Sequence, residues 1–61
     1  MVVLHGEYRY RLSPSEYCVV LEVRTTTVRV RTEVMEKEIS IQTFERDWEF
    51  CYEDGFEDRL P

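Results

Sequence analysis

Glycine and proline are scarce in this 61-residue chain, with two residues of each. Gly6 and Gly55 stand alone, so no glycine-rich loop exists to cradle a phosphate. Cysteine is as rare: Cys18 and Cys51 lie far apart and form no CxxC pair, and His5 is the only histidine. That excludes zinc-site spacing, and neither a metal nor a cofactor is expected. At most one disulfide is available, and in a reducing compartment both thiols are expected to be free. No apolar run approaches the ~18 residues of a membrane helix. The opening Met1-Val2-Val3-Leu4-His5 is apolar but short, with neither a basic leader nor a cleavage site. The expectation is therefore a cytoplasmic protein without a membrane role.

Size excludes more. One domain, residues 1–61, is the only division this length allows. A chain this short buries roughly 60% of its unfolded surface, so its large apolar residues are needed for stability. Few are left to build a deep substrate cleft, and no enzyme is expected. No serine or cysteine sits in a nucleophile motif, and His5 lies close to the chain start. The carboxylates are too numerous for their spacing to point to acid–base catalysis. A hydrophobic content of 43% with 34% charge is that of a folded domain, too apolar for a disordered tail.

What the chain has in abundance is period-two alternation, the mark of half-buried strands. Glu7–Leu12 alternates with Tyr8, Tyr10 and Leu12 on one face, and Ser13-Pro14-Ser15 reads as a break. Residues 17–24 form the main strand, with Tyr17, Val19, Leu21 and Val23 assigned inward. Cys18, Val20, Glu22 and Arg24 then face outward. Thr25-Thr26-Thr27 is a reversal without glycine, followed by Val28–Thr32 with valines in and arginines out. Glu33–Glu38 reads as a polar connection and Ile39–Thr43 as a fourth strand. Phe44–Asp47 fits one helical turn capped by Thr43, and Trp48–Tyr52 closes the series. Asp54-Gly55 marks a turn; residues 53–61 form an acidic tail whose end, residues 56–61, reads as loose unless Phe56 or Leu60 ties it down. The inward set is completed by Ile39, Ile41, Trp48, Phe50 and Tyr52. A flat five-stranded sheet would leave one face bare and two edges unpaired, so closure into a small barrel is expected.

Five strands with a helical turn before the last, together with Glu16–Val23, Val28-Arg29-Val30-Arg31 and Phe44–Glu49, carry a resemblance. The chain resembles an all-β, SH3-like small barrel of the bacterial and phage type over residues 7–52. The proline-ligand aromatics of the eukaryotic signalling domains have no residue-by-residue counterpart, so that activity does not carry over. The resemblance implies a phage or mobile-element accessory product. Such a protein would inhibit a host enzyme or defence complex by steric block or nucleic-acid mimicry.

Charge divides the chain. Residues 1–32 carry five arginines against three glutamates, +2, and residues 33–61 carry three bases against ten acids, −7; together they give −5. The acids Glu45, Asp47, Glu49, Glu53 and Asp54 alternate with Trp48, Phe50 and Tyr52, a mixture that suits a protein interface. Those five are the candidate partner-binding residues. The plainer account is a solubilising surface. The alternative site is an outer arginine face, Arg9, Arg11, Arg29 and Arg31, which would recognise nucleic-acid phosphates. Its plainer account is cross-strand pairing with Glu7, Glu22, Glu33 and Glu38. Outward Cys18 and Val20 suggest either a second small core or a homodimer contact.

Overall fold

The computed structural model describes residues 1–52. They form strands β1 (Glu7–Tyr10), β2 (Ser13–Val23), β3 (Thr27–Thr32) and β4 (Glu36–Ser40), helix α1 (Ile41–Asp47) and strand β5 (Trp48–Tyr52). All five strands belong to one antiparallel sheet, ordered β4-β3-β2-β1-β5. Five strands and a turn of helix before the last one are present, but the fourth strand is displaced: residues 36–38, expected in a connection, belong to β4, and residues 41–43, expected as strand, belong to α1. The proposed tail and the Asp54-Gly55 turn lie outside the described residues.

The turns explain how so little glycine suffices. Arg11 and Leu12 alone separate β1 from β2. Pro14 does not end the strand: it sits in an irregular stretch where the register jumps from Tyr10↔Ser13 to Arg9↔Tyr17. A bulge tolerates a residue that cannot donate to the ladder. The β2–β3 turn is closed by Arg24 N–H donating to Thr27 O at 2.8 Å. Between β3 and β4, Thr32 Oγ1 accepts from the amides of Val34 and Met35 at 3.3 and 3.2 Å. A side-chain hydroxyl thus does what a glycine turn would do through φ. Helix α1 starts three residues earlier than the sequence suggests, because Ser40, not Thr43, is the cap: its Oγ accepts from Thr43 N at 3.2 Å.

Two expectations are corrected. The first is the facing of β2. Cys18 and Val20 point into the core, both fully buried, opposite Tyr8 and Val30 respectively. Tyr17 and Val19 are on the other face, aligned with Arg9 and Glu7. Cys18-Val19-Val20-Leu21 is apolar throughout, so alternation cannot fix its parity, and a one-residue shift turns every side chain over. The register shift between Val20 and Glu22 changes the parity again along the strand. Burial removes the ground for a homodimer contact through Cys18 and Val20. Leu12, Val23, Phe50 and Tyr52, assigned inward, are exposed.

The second correction is closure. Among the described residues the sheet is not a closed barrel: β4 and β5 are its edges. Helix α1 runs from one edge strand directly into the other and drops Phe44, fully buried, onto Tyr8 (ring centroids 4.7 Å) and Trp48 (6.0 Å, nearly parallel). A side chain, not a ladder of hydrogen bonds, fills that part of the seam. The core is Tyr8, Cys18, Val20, Val28, Val30, Phe44 and Trp48, with Val2, Tyr10, Ile39 and Ile41 packed against it. Phe44 was absent from the expected core because strand parity does not reach into a helix.

Candidate functional site

The outer face of the sheet is a lattice of matched charge. Arg29 and Arg31 of β3 both reach Glu36 of β4, at 3.0 and 3.1 Å. Arg24 bridges Glu22 and Glu38, at 2.9 and 3.1 Å. Arg9 holds Glu7, fully buried, at 3.0 Å and lies over the Tyr17 ring, 5.4 Å from its centroid. Arg11 meets Glu49 at 3.6 Å. Arg31 and Arg29 hydrogen-bond the Glu36 carboxyl and hold it below the ordinary glutamate range. The Glu22 carboxylate, with Glu38 beside it, raises the Arg24 guanidinium further. The four arginines proposed as a nucleic-acid face are therefore each engaged with a carboxylate. Glu36 and Glu49 were not among the partners expected.

The acidic candidates are not brought together. Glu45 accepts the Met1 amino group at 2.9 Å on the exposed side of α1. Asp47 is gripped by Arg46 at 2.8 Å, which lowers its pKa, and it lines a cleft beside Trp48. Glu49 belongs to the outer face, aligned with Arg9. Glu53 and Asp54 lie outside the described residues.

That cleft occupies the rest of the open seam and has a volume of about 730 Å³. One wall is the β3–β4 hairpin, contributing Glu33, Val34, Met35, Lys37 and Ile39. Another is the end of α1, with Thr43, Asp47 and Trp48. Tyr10 and the irregular start of β2, Ser15-Glu16-Tyr17, complete it. Tyr10 and Trp48, both lining the cleft, pack with ring centroids 5.1 Å apart and planes tilted by 52°, Trp48 being largely buried. Val34 at the hairpin tip is 86% exposed and Met35 is 54% exposed, a cost that folding alone does not require.

The sequence carried a signal for this site that alternation arguments pass over. Val34 and Met35 are apolar residues inside an otherwise polar connection. No group of three or more His, Cys, Asp or Glu residues placed to hold a metal occurs among the described residues. Both cysteines are free; burial pushes the Cys18 thiol up to about 12, partly offset by Lys37, while Cys51 is exposed. No helix among the described residues is long and apolar enough to cross a membrane.

No family model matches the chain, and no curated protein or solved structure matches it.

Proposed function

We propose that the protein is a small, non-enzymatic module that binds another protein through the open cleft. The carrying observation is the cleft itself: an aromatic and aliphatic lining of Tyr10, Trp48 and Ile39, overhung by exposed Val34 and Met35. Its volume falls in the ~300–1,000 Å³ range of binding sites, and aromatic anchors are what protein interfaces use. An SH3-like assignment belongs to the same proposal. The order β4-β3-β2-β1-β5, with a helical turn between β4 and β5, supports it.

The narrower reading is an inhibitor of a host enzyme or defence complex, from a phage or mobile element. Within it, steric block suits the molecule better than charge mimicry. Glu45, Asp47 and Glu49 occupy three separate settings, two of them already neutralised by a neighbouring arginine. The nucleic-acid alternative must break an ion pair for each arginine it uses.

Affinity capture from cell lysate, with and without nuclease, tests this reading. A protein captured by the wild type should survive nuclease. Capture should be lost on Val34→Glu with Met35→Glu and kept on Glu45→Lys with Glu49→Lys. Loss on nuclease treatment would favour the arginine face, and loss only on the acidic reversal would favour the acidic surface.

A further inference from the structure

Sixteen charged side chains fall within the described residues, and thirteen of them form the ion pairs of the outer face, of α1 and of its neighbours. The three without an ion pair among the described residues are Glu16, Glu33 and Lys37, and all three line the cleft. Among the described residues, a surface that pairs its charges everywhere else leaves these unmatched at one place.

The edge strand β4 borders the same cleft. Thr32 N–H donates to Met35 O at 2.7 Å and Ile41 N–H to Thr26 O at 3.0 Å. Hydrogen-bonded pairs alternate along an antiparallel ladder, so Val30–Lys37 and Val28–Ile39 exchange the bonds between these two. The backbone groups of Glu36 and Glu38 then point away from β3, toward the unpaired edge. Side chains alternate as well: Lys37 and Ile39 lie on the cleft side, while Glu36 and Glu38 lie on the outer face.

We propose that the occupant of the cleft is an extended segment of a partner protein, added to β4 as a strand and carrying cationic side chains interspersed with apolar ones. This rests on the cleft being the binding site. The segment's backbone bonds the groups of Glu36 and Glu38. Its apolar side chains cover Ile39, Tyr10 and Trp48, and its cationic ones meet Glu16 and Glu33. An added strand draws affinity from main-chain bonds and specificity from alternate side chains. Lys37 tolerates one acid on the segment, but two carboxylates against one ammonium set a cationic preference.

The test uses the whole chain labelled with ¹⁵N and three synthetic peptides of equal length, repeating Val-Ser-Lys-Ser, Val-Ser-Glu-Ser or Val-Ser-Ser-Ser, so that both residues of each Val-Lys, Val-Glu or Val-Ser pair fall on the cleft face of an added strand. The Val-Lys peptide should bind roughly tenfold more tightly than the Val-Glu peptide. It should shift the amides of Glu36 and Glu38 and the Trp48 indole. Glu16→Lys with Glu33→Lys should weaken it by a similar factor while leaving the free spectrum folded; both residues are exposed. N-methylation of alternate peptide amides, made in both phases, should abolish binding in the phase whose amides face β4. Equal binding of all three peptides in the cleft would overturn the charge preference and leave the cleft standing. Undiminished binding of the N-methylated peptides of both phases would overturn strand addition. No shift at any cleft residue would overturn both the proposal and the reading beneath it. Concentration-dependent shifts at β4 and β5 without peptide would replace the proposed segment with a second copy of the chain.

Discussion

The two faces of the sheet solve the same problem in opposite ways. On the outer face, arginines of β1 and β3 lie beside glutamates of their own and neighbouring strands, and nearly every charge is matched within the molecule. On the inner face, seven buried side chains make a core that closes around Phe44 and stops short of β4's far edge. The outer face needs nothing from outside. The inner face ends in an aromatic cleft with three charges that have no ion-pair partner among the described residues. Matched and unmatched charge among the described residues are thus separated across one layer of backbone, and each substitution below should act on one side of it.

The largest effect is expected at Phe44. Its side chain is fully buried against Tyr8 and Trp48, and truncation of a buried phenylalanine costs about 3–5 kcal/mol. A domain of this size sits near the low end of the usual stability of roughly 5–15 kcal/mol. Phe44→Ala should therefore leave the chain largely unfolded at physiological temperature, as read by urea denaturation. Leu12→Ala, at an 83% exposed side chain, should change stability by less than about 0.5 kcal/mol. The opposite ranking would mean that β1 and the first part of β2 face the other way.

Next comes the contrast between the two thiols. Cys51 should react with a thiol reagent at once and Cys18 only on unfolding. A native protein that labels at both sites with equal rates would contradict the inward parity of β2. The same burial has a pH consequence. The Cys18 thiol holds its proton more tightly folded than unfolded, so its contribution is intact below the ordinary thiol value of 9.0. It is lost as pH rises from there toward about 12. Cys18→Ala should remove that share of the alkaline slope.

How much of this was legible in the sequence follows from what each residue's neighbours constrain. Val28-Arg29-Val30-Arg31 alternates cleanly, and its facing is as expected, since one parity buries valine and the other buries arginine. Cys18–Leu21 offers no such contrast, and its facing is set by pairing with β1 and β3, which no local pattern encodes. The division into a basic first half and an acidic second half is real in composition. Antiparallel pairing of β3 with β4 folds the one onto the other, so it does not survive as two surfaces. The cleft was hidden for a related reason: its walls come from β2, the β3–β4 hairpin and α1, segments that meet only through topology.

A smaller effect is expected on the outer face. Glu36→Gln removes the carboxylate shared by Arg29 and Arg31 and should lower the melting temperature slightly. In the wild type this carboxyl titrates below its ordinary value of 4.5 because of the same two arginines. Its contribution is therefore present above that value and lost as pH falls through the lower, folded one. The variant should show a shallower acid slope, and high salt should narrow the difference. Smallest of all is the expected change in stability for Glu16→Lys with Glu33→Lys, whose carboxylates have no ion-pair partner to lose among the described residues.

The division between the faces is tested most directly by the affinity of the Val-Lys peptide for two charge variants of the whole chain. One is Glu16→Lys with Glu33→Lys in the cleft, and the other is Arg29→Gln with Arg31→Gln on the outer face. The account predicts roughly tenfold weaker binding for the first and unchanged binding for the second. Binding that survives the cleft reversal and falls with the outer arginines would contradict it.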